Sequence, residues 1–151
     1  MNQAAIARTA KRLVGEEEYR QFPYNDATGK RVTCKPDGNL SWLIGINLET
    51  AGSIELAELV VSHFLEKLDK DFSTVWWYPN LDDIRLSVVL DVAFNAGEGG
   101  LLHFPKMLAA CGAKHWATAK AELLDSAAAR NPRLKHRYEI LAEILSTGVE
   151  A

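Results

Sequence analysis

The run "IRLSVVLDVAFN", residues 84–95, constrains this chain more than any other stretch. From Val88 onward it is apolar on most faces of a helix, and a helix apolar nearly all round has to be enclosed by other elements. The clustered glycines of "NAGEGG" then break it. The rest of the chain must supply the shell, and most of it reads helical. Ser53 is placed to cap a helix carrying Ile54, Ala57, Val60, Val61, Phe64, Leu65 and Leu68. Asn80 with Asp83 reads as a capping pair for the central helix. Two shorter helices are predicted over 102–111 and 114–128. A last one is predicted from Asn131 as cap, with Pro132 in its first turn, to Ser146 or Thr147, where Gly148 stops it. "DFSTVWWYP" is a connector, and its Trp76 and Trp77 read as core packing ahead of sugar stacking.

The first 52 residues differ in character. Ile6, Ala10, Leu13, Val14 and position 17 follow the spacing of one helical face. Pro23 ends that helix, because the residue before a proline is pushed out of the α region. "KRVTC" is strand-like, "KPDGN" is turn chemistry and "LSWLIGI" is strand-like again. The expected class is therefore α+β, mainly α. It is one domain over 1–151 with two lobes: a small β-hairpin lobe at about 15–52, and a helical lobe at about 53–151 joined by the N-terminal helix. A cleft would lie between the lobes.

Composition narrows the function. The chain has 151 residues, 48% of them hydrophobic, which suits one such domain, and its net charge of −3 lacks the basic footprint of a nucleic-acid binder. "RNPRLKHR" is basic only locally. Two cysteines, Cys34 and Cys111, make neither a disulfide framework nor a zinc site and read as reduced thiols. No cofactor or metal is expected. "MNQAAIARTAKRLVG" has no continuous apolar core of a signal peptide, and no run reaches the length of a membrane span.

The candidates for chemistry are carboxylates. Successive helix positions turn by about 100°, so Glu16, Glu17 and Glu18 cannot share a face. Glu17 is in register with Ile6, Ala10 and Leu13 and continues the buried stripe. A partly desolvated carboxyl there would hold its proton longer, as a general acid must. The other reading is a frayed last turn with Glu17 in water. Asp26 follows the proline. It is either the second carboxylate of a glycosidase pair or part of an Asn-Asp turn.

"EEYRQFPYND", Glu17 to Asp26, resembles the opening motif of the phage-type lysozymes, glycoside hydrolase family 24, with Glu17, Arg20, Tyr24 and Asp26 at the motif positions. "GNLSWLIGINL", Gly38 to Leu48, is similar to that family's hairpin motif, with Ser41 at its threonine and Gly45 at its second glycine. "LDVAFNAGEGGLLHF" resembles the central helix and its exit, and "RNPRLKHRYEILAEILSTG" the closing helix. Four motifs in order span nearly the whole chain. The resemblance implies a lysozyme-like fold and a muramidase that cleaves the β-1,4 bond between N-acetylmuramic acid and N-acetylglucosamine in peptidoglycan, by inversion. It implies Glu17 as general acid, Asp26 as the residue that stabilises positive charge or activates water, and Ser41 as the holder of that water. Tyr24, Asn95 and Arg137 take supporting or substrate-binding places. Asn95 would sit near the cleft, or else cap the helix end before Gly97. Arg137 would lie near the catalytic glutamate, or else be a surface arginine or a structural ion pair. Leu43, Ile46, Glu18 and the segment "KRVTCKPD" depart from the family pattern.

The implied protein is a monomeric endolysin acting on glycan strands. It would accumulate in the host cytoplasm and reach the wall through a separate membrane pore, with no nucleic acid or membrane insertion involved. Its rivals are a virion-associated wall-degrading enzyme and a non-catalytic module that binds glycan or protein. Intact Glu17 and Asp26 argue against the last.

Overall fold

The computed structural model describes residues 2–16, 41–42, 46–47 and 53–150. Helix α1 spans Gln3–Glu16, and two strands follow at Ser41–Trp42 (β1) and Ile46–Asn47 (β2). The remainder is helical: α2 Ile54–Phe72, a 3-10 turn at Tyr78–Asn80, α3 Asp83–Ala96, α4 Glu98–Leu101, α5 Pro105–Gly112, α6 Trp116–Leu124, α7 Ala127–Arg130 and α8 Lys135–Thr147. The chain forms two compact units, one of Met1–Thr9 with Ser62–Ala151 and the other of Ala10–Val61.

In the larger unit every residue of α3 from Leu86 to Ala93 is buried. The helix predicted to be enclosed is enclosed. α8 packs on α3, α6 and α7, and α6 packs on α5. Leu141, Leu145, Leu123 and Met107 supply much of the apolar surface around this core. The cap of α3 is Asp82 rather than Asn80: its backbone is extended and its carboxylate accepts from Arg85 N at 2.8 Å. Asn80 closes the preceding 3-10 turn instead. The segment predicted as one helix over 114–128 is two. The break falls at Asp125–Ser126, and Ser126 Oγ caps α7 by accepting from Ala129 N at 3.1 Å. Asn131 makes a turn ahead of α8, whose stop at Gly148 is as predicted, with φ of 71°.

Two polar arrangements pin this unit. Asn2 caps α1 by accepting from Ala5 N at 3.1 Å, and its own N–H donates to Asp69 Oδ2 at 3.1 Å. Asp69 is fully buried and also accepts from the Tyr78 hydroxyl at 2.7 Å. A carboxylate at a helix start is favoured by the exposed N–H groups there. Burial, and then the hydrogen bond to Asp69, push the Tyr78 phenol far above its usual range. At the other end, Arg85 donates to the carbonyls of Leu145 and Ser146 at 2.9 and 3.2 Å. It thereby satisfies acceptors left open at the end of α8.

The smaller unit carries the rest of α1, with Ala10 and Leu13 buried, both strands, and the start of α2. Ser53 Oγ accepts from Leu56 N at 3.1 Å, so the predicted cap of α2 is present. β1 and β2 pair antiparallel, Ser41 opposite Asn47 and Trp42 opposite Ile46.

That ladder overturns the expected α+β class. Among the described residues the chain is helical, and extended pairing is confined to two strands of two residues each. "LSWLIGI" is not one strand of a hairpin lobe, because its ends fall in strands that pair with each other. A ladder of this length presents no face that could bury apolar surface as a layer, so it does not make a β lobe. Short apolar runs do not distinguish strand from other buried structure by pattern alone, and the α+β reading rested on such runs. "KRVTC", "KPDGN" and Pro23 lie outside the described residues.

Candidate functional site

Glu17, Tyr24 and Asp26 lie outside the described residues. Ser41 is the first residue of β1. Asn95 and Arg137, drawn from two separate motifs, can be placed in full, and the structure brings them to one group.

That group is the carboxylate of Asp91. It sits on the enclosed helix α3 with no exposed surface. Arg137, from the first turns of α8, donates to Asp91 Oδ1 from Nη2 at 2.8 Å and from Nε at 3.2 Å. Asn95 lies one helical turn beyond Asp91. Its amide donates to the same Oδ1 at 3.1 Å and to the Asp91 carbonyl at 2.8 Å. One carboxylate oxygen thus accepts from three N–H donors on two helices. A buried carboxylate needs this: without paired charge and hydrogen bonds, removing it from water costs several kcal/mol, on the order of 5.

Exposure is graded across the cluster. Asp91 is fully buried, the Arg137 side chain is 10% exposed, and Asn95 stands at the surface. The arrangement can hold one positive charge and one amide in fixed positions. Both N–H groups of the Asn95 amide go to Asp91, so its carbonyl oxygen is the atom it can offer as an acceptor. Tyr138, next to Arg137, is buried as well. Its phenol is raised above its usual value chiefly by burial and then by the charge of Asp91, with Arg137 opposing.

The two alternatives for Asn95 are now separable. It does not satisfy the open carbonyls of the last turn of α3. It reaches back one turn to Asp91, while Gly97, with φ of 77°, ends the helix. Sequence reading missed Asp91, although a signal was present: it is the one charged residue within the apolar run "SVVLDVAF".

Trp76 and Trp77 part company. Trp77 is buried against Phe72, their ring centroids 5.5 Å apart at 55°. Trp76 is 64% exposed, so the expectation that both pack in the core is corrected for it. Its ring edge still lies on Gly112, where a Cβ would come within 2.0 Å of it.

No protein-family model matches this chain, and no curated protein matches it. Among the described residues, no group of three His, Cys, Asp or Glu is placed to hold a metal ion. No described helix is long and apolar enough to cross a membrane.

Proposed function

We propose that this chain is an endolysin-type muramidase that hydrolyses the β-1,4 bond between N-acetylmuramic acid and N-acetylglucosamine in peptidoglycan, for lysis of the host cell. The observation that carries the reading is the meeting of Asn95 and Arg137 on one oxygen of Asp91. Both residues were nominated from motif resemblance alone, in segments far apart in sequence, and a chance resemblance gives no reason for them to share a partner. The reading rests on the order of the four motifs and on that convergence. It does not rest on a β-containing lobe.

In this reading Glu17 protonates the glycosidic oxygen. Asp26 stabilises the developing positive charge or activates water, and the Ser41 hydroxyl holds that water on the face opposite the leaving group. The product anomer is then inverted. Arg137 supplies a fixed positive charge and Asn95 a fixed amide oxygen, and an electrostatic contact is worth most where it needs no reorganisation during reaction.

The test is release of reducing ends from purified peptidoglycan. Wild type should release them, and Glu17→Gln should lower the rate by at least ~10²-fold with folding preserved. Glu16→Gln and Glu18→Gln should keep most of the activity. Binding to peptidoglycan with no reducing ends released would instead identify a non-catalytic glycan-binding module.

A further inference from the structure

Asp91 has no assigned part in the reaction proposed above, yet the arrangement of donors singles it out. Arg137 turns one edge of its guanidinium, Nε and Nη2, onto Asp91 Oδ1. That contact fixes the plane of the guanidinium and directs the opposite edge, with Nη1, away from Asp91. The Asn95 amide is fixed by two bonds, to Oδ1 and to the Asp91 carbonyl. Its Nδ2 is thereby assigned inward, which leaves its carbonyl oxygen as the outward atom. The anchor itself sits inside the core, because α3 is buried from Leu86 to Ala93 around it.

Stability alone gives a poor reason for this design. A buried ion pair adds little over an apolar pair of the same volume, since desolvation of both charges offsets their attraction. What the pair does supply is orientation. The cluster runs from a fully buried carboxylate, through an arginine 10% exposed, to an amide at the surface. A buried interior anchor therefore sets the geometry of one cationic and one amide side chain.

We infer that Asp91 is a positioning residue for the proposed glycan hydrolysis: its buried carboxylate holds Arg137 and Asn95 in the orientation in which they act. The inference rests on the muramidase reading. It assigns Asp91 no contact with substrate and no proton transfer. Its effect on turnover passes through Arg137, and this distinguishes it from a purely structural pair.

The experiment is a double-variant cycle on turnover with purified peptidoglycan, read well below each variant's melting temperature. The variants are Asp91→Asn, Arg137→Gln and the two combined. Arg137→Gln is expected to lower kcat by at least ~10-fold, since misplacement of about an ångström can cost ~10²-fold. Asp91→Asn is expected to lower kcat comparably, and the combined variant no further than Arg137→Gln alone. If Asp91→Asn alone fails to fold, Arg137→Gln and the combined variant still decide the matter, because the combined variant leaves no unpaired buried charge. A combined loss tenfold beyond that of Arg137→Gln would show that Asp91 acts independently and overturn the inference. So would a folded Asp91→Asn protein with wild-type kcat and a lowered melting temperature, which is the signature of a structural pair. If wild type itself releases no reducing ends, the muramidase reading fails first and takes this inference with it.

Discussion

Arg85 donates from Nε to the Leu145 carbonyl at 2.9 Å, tying the first turn of α3 to the last turn of α8. Its guanidinium also lies 4.2 Å over the Trp116 ring and pairs with Asp82. This clamp leaves no room at Gly148, where an added Cβ would come within 2.5 Å of Arg85 Nη1. Gly148 is in addition left-handed, with φ of 71°. Gly148→Ala should therefore cost about 1–3 kcal/mol. Gly15→Ala is the contrast: it is in α1, and its Cβ would meet nothing within 4 Å. It should stabilise by about 0.4–1 kcal/mol. Urea midpoints of the two variants should move in opposite directions; a shift of both the same way would contradict the clamp.

Removing one side of the Asp91–Arg137 pair should be costly whatever the protein does. Asp91→Ala takes the carboxylate away from the Arg137 guanidinium, whose side chain is only 10% exposed. The expected loss is about 3–5 kcal/mol by equilibrium unfolding. Replacing both with apolar residues of similar volume, as Asp91→Leu with Arg137→Met, should cost far less. Equal losses for the single and double replacements would show that the charges are not the source of the effect.

The neighbouring tryptophans should respond very differently to truncation. Trp77→Ala empties a buried site beside Phe72 and should cost about 3–5 kcal/mol. Trp76→Ala removes a side chain that is 64% exposed and should cost about 1 kcal/mol or less. Thermal unfolding of the two variants compares them directly.

Alkaline pH should weaken the fold through Cys111. Burial pushes this thiol up from 9.0 to about 12, with Arg85 opposing. Between those values the unfolded chain loses the proton and the folded one keeps it. The contribution is thus fully present below about pH 9 and is lost as pH rises toward 12, at up to about 1.4 kcal/mol per pH unit. The raised Tyr138 phenol acts in the same direction. Urea midpoints should fall on the alkaline side, and Cys111→Ala should flatten that decline. An unchanged slope in the variant would remove Cys111 as its cause.

The enclosed helix was legible because its apolar character is not periodic: "VVLDVAF" leaves no face for water. The caps at Ser53 and Gly148 were legible because each depends on one residue's local chemistry. The cap of α3 was misplaced by two residues, since "NLDD" offers three candidate caps and only the backbone decides among them. The β lobe was over-read from β-branched and aromatic content. Of the candidate site, Asn95 and Arg137 were found by resemblance. Asp91 was not, because a pattern search treats one charge in an apolar helix as noise, whereas burial makes it the group most in need of partners.

The division of the larger unit has a consequence for the rate of folding. Met1–Thr9 belongs with Ser62–Ala151, although Ala10–Val61 lies between them in the chain. Its contacts are to Asp69 and Asp83 through Asn2, to the Ser87 carbonyl through Thr9, and to Glu150 through Arg8. Seating this segment therefore depends on partners that lie beyond the interval 10–61. The chain-entropy cost of bridging that interval grows only with the logarithm of its length, so equilibrium stability scarcely registers it. Rate does: contacts between segments distant in sequence form slowly, so docking of Met1–Thr9 is expected to follow the packing of the helices within Ser62–Ala151.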